Sequence, residues 1–540
     1  MPELSLPTKK LLSQYENWKK SLEPREGVST IHVDEFASRV AAFYEKIRMI
    51  VDWKEEHLMR RTAIIRKLKR RFLNWELNGE LSSEKIAEPL VLELIRGGHF
   101  PNDKIEESKI EDVQRILKKY IFIIKNKPEI KSKREVLQLY NWILEIAACE
   151  IEETLAPPLK ENYLINYMFE TMKERIVLKK GIISVGEIEE KEKNIQIYIA
   201  VQQALFKLDK PIISYNLIKY KYPQWKKSNP EEISFFAENI YKIWKEIEKH
   251  FSHPLAKKFY AICEKYDTPY LLLGDVIFKK GNEKISEKIS NPRILENLIK
   301  SAYKKRLSTL KIRLFRAAFY STLSILLTNS LSLYILEVPL AKMITGRFMP
   351  ITIIVDILGP TFLMFLFTAT IKPPPKNNLH VVIMETVKIV YKRDAVDTYE
   401  IKVPKKRGLI TKTIIGTLYI LGALISFSVI VFIFRLAHFP PTSVVINIIF
   451  IAIITFAGLA IRKRAKELTI EEKGGGFVGF ISDIFFLPVA GVGRWLSNKW
   501  KRYNAIAAFF NALIDMPFSV FVEFLEKWRF FLKEKKEEIH

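Results

Sequence analysis

Asp356 is the one carboxylate inside any of the four long apolar runs of this chain, and Gly359-Pro360 follows it within about one helical turn. An ionisable group in hydrocarbon is costly and marks a candidate site by default. A Gly-Pro pair inside a helix loosens it and frees a backbone carbonyl. Together they have the chemistry of a cation or proton site at a helix break. Asn329, Glu337, Arg435, His438 and Asn447 are the polar residues that other apolar helices could bring to it. The structural alternative pairs Asp356 with Arg347, Arg435 or His438 to hold the helices together. One carboxylate is thin support for a transport pathway, so the structural role is the plainer expectation.

A second concentration of charge is Arg60, Arg61, Arg66, Lys67, Lys69, Arg70 and Arg71, interleaved with Ile64, Ile65, Leu68 and Phe72. Such a basic amphipathic stretch can lie on anionic lipid, grip nucleic acid, or form a face paired with acids elsewhere in its domain. The last needs no partner and is the simplest. The histidines show no metal-ligand spacing: a helix start falls between His250 and His253, and His57 follows Glu55-Glu56 in ordinary surface composition. No phosphate-cradling loop, dinucleotide fingerprint or nucleophile elbow is present, and Gly474-Gly475-Gly476 precedes Phe without the lysine a P-loop needs. The two cysteines, Cys149 and Cys263, lie far apart in helical pattern and read as buried thiols in a reducing compartment. No metal, cofactor or enzyme chemistry is expected from these residues.

The elements that would position Asp356 are four nearly uncharged runs, about 314–336, 350–371, 409–434 and 444–461. Each is near or above the ~18–20 residues that cross ~30 Å of hydrocarbon as a helix. The cations around them alternate in density. Lys300, Lys304, Lys305, Arg306, Lys311, Arg313 and Arg316 precede or enter the first run, whereas only Lys342 and Arg347 separate the first from the second. Nine lysines and arginines lie between Ile371 and Gly408, none between Leu436 and Ser443, and Arg462, Lys463, Arg464 and Lys466 follow the fourth run. Dense, sparse, dense, sparse, dense predicts four membrane helices with both chain ends in the cytoplasm. Pro440-Pro441 in the short third connection predicts a tight hairpin, and Pro373-Pro374-Pro375 a sharp stop to the second helix.

Residues 1–299 read as helix almost throughout, with a boundary near Ala156-Pro157-Pro158 dividing residues 1–156 from 157–299. The spacing of Phe36, Val40, Phe43, Ile47 and Ile50 predicts a helix from Asp34 to about Gly79. Ser228-Asn229-Pro230-Glu231 and Ser290-Asn291-Pro292-Arg293 each set a capping residue before a proline at the first helical position. Val177–Val185 is the best strand pattern, Leu379–Tyr391 is amphipathic, and Thr398–Val403 reads as extended. The helix opened by Asn291 runs without a break into the first apolar run, so the polar and apolar parts are rigidly coupled. A membrane region then occupies residues 300–466.

Beyond it, residues 467–540 begin with a flexible Gly474-Gly475-Gly476 spacer. Two apolar stretches follow, Phe477–Leu496 and Tyr503–Leu532. Asp483, Pro488, Gly491, Gly493 and Arg494 break the first, and the second carries one apolar stripe, so both are expected to lie in the membrane interface. The fold class expected is therefore mostly α: a large cytoplasmic helical domain, a four-helix membrane domain and interfacial C-terminal amphipathic helices.

A net charge of +25 favours polyanionic surfaces, and for such a chain anionic lipid headgroups are nearer than nucleic acid. Lys304, Lys305, Arg306, Lys311, Arg313, Arg462, Lys463 and Arg464 are the candidate headgroup contacts. The function expected is a multi-pass cell-membrane scaffold or regulatory protein whose helical cytoplasmic domain binds a protein partner or an anionic lipid surface. The alternative is a channel or small-solute transporter using Asp356 at the Gly359-Pro360 break, with a homo-oligomer building the pore.

Overall fold

The computed structural model describes residues 2–21, 27–33, 56–78, 83–179, 190–279, 284–332, 350–371, 373–392, 396–402, 408–437, 441–470 and 477–503, with isolated positions 339, 439, 524, 528, 531, 532 and 535. Asp34, Gly79, His438 and most of the Tyr503–Leu532 stretch lie outside the described residues, and for Asp356 only the main chain is described. Among the described residues there are 18 α-helices and two four-residue strands, so the chain is mostly α. It forms two compact units, each assembled from separated stretches.

One unit takes in Lys10–Glu174 and Ile188–Glu264. Its core joins Leu68 and Phe72 of the Glu56–Asn78 helix, Leu90 and Leu94 of Ser83–Arg96, Val113 and Leu117 of Ser108–Lys125, Ile143 and Ile151 of Lys133–Leu155, and Phe236 and Ile240 of Pro230–Phe251. Spacings of four or eight residues put each pair on one helical face. Residues from both sides of Ala156 contribute to this core; Ala156 itself is the C-cap of Lys133–Leu155. Asn229 accepts from the Glu232 N–H and the Glu232 carboxylate from the Asn229 N–H, a complete capping box on the Pro230–Phe251 helix.

Two polar clusters hold this unit, one buried and one partly exposed. The buried Glu150 carboxylate accepts from Lys119 Nζ (2.6 Å), Tyr120 Oη (2.7 Å) and Trp225 Nε1 (3.0 Å), while Lys119 also donates to the Trp225 carbonyl (2.9 Å). Every group has a partner, which marks a structural lock rather than a reactive centre. In the second cluster His250 sits between Glu192 at Nδ1 (2.9 Å) and the Lys221 ammonium at Nε2 (3.1 Å). A lysine ammonium only donates, so Nε2 accepts and the proton lies on Nδ1, facing the carboxylate.

Burial pushes the Glu192 carboxyl up, but hydrogen bonds from His250 and Gln196 outweigh it and take it from 4.5 down to about 2. A depressed acid stabilises the fold fully above its unfolded value and loses that contribution as pH falls toward the folded one. Glu192→Gln should therefore destabilise the full-length protein at pH 7 by about 1.5–3 kcal/mol, the range for hydrogen bonds to a charged acceptor. The gap between the two melting curves should narrow steadily from pH 4.5 toward 2. A gap that stays constant over that window would remove the ionised Glu192 from the stability of this unit.

The other unit takes in Met1–Lys9, Arg175–Glu187 and Lys265–Ala505. Four of its helices carry the apolar runs: Pro292–Ser332, Pro350–Ala369, Leu409–Leu436 and Pro441–Ala465. The first is an unbroken 41-residue helix, started by Asn291 Oδ1 accepting from the Arg293 N–H (3.1 Å). Two of the four, over Thr413–Leu436 and Ser443–Ala465, are long and apolar enough to cross a membrane, and Ile357–Ala369 is a shorter apolar helix. Pro292–Ser332 packs on Pro350–Ala369, which packs on Pro441–Ala465.

Leu409–Leu436 and Pro441–Ala465 touch each other little, in contrast to the tight hairpin that the proline-locked connection predicts. A fifth helix, Phe477–Tyr503, packs against both. It is continuous through Pro488, and glycines on it and on the facing Leu409–Leu436 helix provide the contact. A Cβ at Gly493 would collide with the Ala452 carbonyl, and one at Gly422 would stand 3.3 Å from Ile484 Cγ2. Residues that argue against a regular helix by composition thus make the surface on which this one sits.

Short elements gather at one end of these helices. Strands β1 (Ile176–Lys179) and β2 (Tyr399–Lys402) pair in parallel with Ile176 opposite Tyr399, so the two extended patterns of the sequence meet. Arg175 donates to Tyr399 Oη (3.1 Å) and the Lys388 carbonyl (2.9 Å), tying β2 to the Asn378–Val390 helix. The chain start joins there through Ser5 N–H to the Val390 carbonyl (2.9 Å).

Candidate functional site in the apolar helices

A three-way hydrogen-bonded junction gives the apolar helices their polarity. Buried Asn378 donates through Nδ2 to Tyr303 Oη (3.0 Å) and the Leu468 carbonyl (2.6 Å), and its Oδ1 accepts from the Ile470 N–H (3.0 Å). Tyr303, Asn378 and Leu468 therefore lie at one level. Arg462 Nη2 reaches Thr370 Oγ1 (3.5 Å) near the same end. Pro292–Ser332 thus runs away from this end, whereas Pro350–Ala369 and Pro441–Ala465 run toward it.

The candidate lipid contacts collect here. Lys304, Lys305, Lys311, Arg313, Arg462, Lys463 and Arg464 are exposed, while Arg306 is half-buried and donates to both oxygens of Asp275. From Leu314 to Ser332 the helix then spans roughly 28 Å. Large apolar side chains face outward on the neighbouring helices, among them Leu418 at 62% and Phe432 at 66% exposure. A contiguous apolar exterior of this kind needs an apolar surrounding.

Much of the basic stretch of the other unit pairs with acids of that same unit, while Lys69 and Arg70 stay exposed. Arg61 is buried in a bidentate pair with Asp209, and Lys67, Arg70 and Arg71 converge on Glu93. Arg60 donates to the His99 carbonyl (3.0 Å) and lies over the Phe100 ring; Arg66 is half-buried. Both cysteines are buried and neither is in a disulfide, and burial pushes the Cys149 thiol well above its ordinary range.

Inside the apolar helices, polar side chains bond back to their own turns. Thr368 bonds to the Met364 carbonyl (3.0 Å), Ser426 to Gly422 (2.7 Å), Thr455 to Ile451 (2.7 Å) and Asn447 Nδ2 to Ser443 (3.0 Å). Such bonds satisfy a hydroxyl or amide without offering it to a ligand. Asn329 departs from this pattern. It is 4% exposed, and neither Nδ2 nor Oδ1 has a partner among the described residues. Of the other sequence candidates, Pro360 is buried, Gly359 is exposed, and Arg435 is exposed on a helix packed against Phe477–Tyr503.

The level of Asn329 follows from its neighbours. Met364, Phe367 and Ile454 form an apolar cluster, with Ile325, Leu363 and Phe450 packed on it. One turn farther from the basic end, Ile325 leads to Asn329, Met364 to Pro360 and Phe450 to Asn447. A polar level therefore lies beyond an apolar plug. Pro360 has no N–H for the carbonyl of Asp356 four residues before it, and Thr361 Oγ1 donates to the next carbonyl, Ile357 (2.7 Å). The sequence singles out Asp356; burial singles out Asn329. Neither a protein-family model nor any curated protein or solved structure matches this chain, so an assignment rests on these side chains alone.

Proposed function

We propose that this protein is a multi-pass membrane protein, with both termini and its helical domain on the cytoplasmic side, that serves as a membrane-anchored scaffold or regulatory protein. The observation that carries this reading is the unbroken Pro292–Ser332 helix. Its basic end is hydrogen-bonded through Tyr303 and Asn378 into the short elements around it, and its apolar end joins helices whose polar groups are mostly back-bonded. An anchor needs an apolar exterior; a transport path needs polar groups offered inward. The helical unit of Lys10–Glu174 and Ile188–Glu264 is the proposed partner-binding part.

The exposed cations at the basic end supply the lipid contact, at about 1 kcal/mol for each Lys or Arg near an anionic surface. Melting of the purified full-length protein should rise when phosphatidylglycerol replaces phosphatidylcholine in mixed micelles. Replacing Lys304, Lys305, Lys311 and Arg313 with Gln should remove most of that rise. An undiminished rise would detach these residues from lipid binding.

A second reading is an oligomeric channel or small-solute transporter, and the unpartnered Asn329 amide speaks for it. Flux through reconstituted vesicles separates the two. The scaffold reading expects no ion or solute flux, together with a recurrent cross-linked partner in native membranes mapping to Lys10–Glu174 or Ile188–Glu264. Flux abolished by Asp356→Asn would overturn it in favour of transport.

A further inference from the structure

We infer that the polar level around Asn329 is a binding site for a small monovalent cation, Na+ or K+, held by oxygen ligands between Pro292–Ser332 and Pro350–Ala369. The first ligand is Asn329 Oδ1. Ile325, one turn before it on the same face, packs on the Met364–Phe367–Ile454 cluster, which directs Asn329 toward the same pair of helices. Its amide is nine-tenths buried with no protein partner, although other buried amides in this unit are bonded. Asn378 has three bonds, and Asn447 bonds to Ser443. A buried carbonyl oxygen left unmet is costly, so a site that retains one points to a ligand that meets that oxygen.

The second ligand is the main-chain carbonyl of Asp356, which Pro360 deprives of its ordinary donor. The Pro350–Ala369 helix continues through Pro360, so the carbonyl that loses its donor stays in place as an oxygen ligand. The apolar plug of Met364, Phe367 and Ile454 closes the site toward the basic end, so the bound ion is held rather than conducted.

The inference does not depend on partner binding or on lipid contact. The scaffold reading fails if vesicles show flux; the site fails if the protein ignores cations. The test is the melting temperature of purified full-length protein in N-methyl-D-glucamine chloride, titrated with NaCl or KCl at constant ionic strength. A saturable rise is expected for the wild-type chain. Asn329→Leu, which removes the orphaned amide from apolar surroundings, should melt at or above wild type without cation and lose the saturable rise. Pro360→Ala returns an N–H to the Asp356 carbonyl and favours the helix, so it should fold and bind more weakly. No saturable response in wild type, or an intact response in both variants, overturns the proposal.

Discussion

Glu150→Ala is expected to destabilise the unit of Lys10–Glu174 and Ile188–Glu264 by about 3–5 kcal/mol, the cost of breaking a buried ion pair from one side. The melting temperature of the full-length protein should fall by on the order of 10 °C. The magnitude follows from what the carboxylate holds. Lys119, Tyr120 and Trp225 all donate to it, and removing it takes the charged acceptor from three buried donors at once, leaving Lys119 only the Trp225 carbonyl and Trp225 Nε1 only Tyr120 Oη. Burial already pulls the Lys119 ammonium below its ordinary range, and the Glu150 charge opposes that pull.

Glutamine should rescue little, because its amide offers one acceptor oxygen where two are used. The second substitution of a cycle makes the argument sharper. Lys119→Met added to Glu150→Ala removes the stranded charge and should recover part of the loss. It should not recover all of it, since the buried Tyr120 hydroxyl still lacks its acceptor and Trp225 Nε1 keeps only a longer bond to Tyr120 Oη (3.3 Å). Loss below about 1 kcal/mol for Glu150→Ala would mean that this cluster is solvated, not sealed.

The same cluster shows what the sequence could and could not convey. Glu150 and Lys119 lie 31 residues apart, and Trp225 comes 75 residues after Glu150, so no local pattern joins them. Caps are different. Asn229 and Asn291 act on N–H groups within three residues, and their motifs foretell what they do. The extended patterns around Val177 and Thr398 were each visible, but their pairing spans a separation of 223 residues between Ile176 and Tyr399. Charge was the least legible feature. Arg61, Lys67, Arg70 and Arg71 suit a binding surface by composition, yet their acids, Asp209 and Glu93, lie on other helices. Asp356 was conspicuous because carboxylates are rare in apolar runs. Asn329 was one amide among several until burial showed which of them lacked a partner.

Substitution at Gly493 is expected to have the largest effect within the apolar helices. A methyl group there meets the Ala452 carbonyl, a backbone atom in the middle of Pro441–Ala465 that cannot swing aside as a side chain can. Overpacking typically costs about 1–3 kcal/mol and more where backbone must move; Gly493→Ala belongs at the upper end and Gly493→Leu beyond it. The remaining glycines of these helices calibrate the claim. At Gly458 the obstacle is the Phe367 ring and its Cβ (2.9 and 3.0 Å), which moves only with its neighbours, so alanine should cost an intermediate amount. At Gly491 the nearest atom is Tyr419 Oη (3.0 Å), the far end of a side chain, and the cost should be small. Gly416 has nothing within 4 Å, so Gly416→Ala should be neutral or stabilising through helix propensity. The ranking is measured by melting each variant in the same detergent. If Phe477–Tyr503 instead lies along the membrane surface away from its two neighbours, Gly493→Ala will behave like Gly416→Ala. The expected order can arise only if this helix is seated on Ala452, where a glycine is what lets two backbones meet.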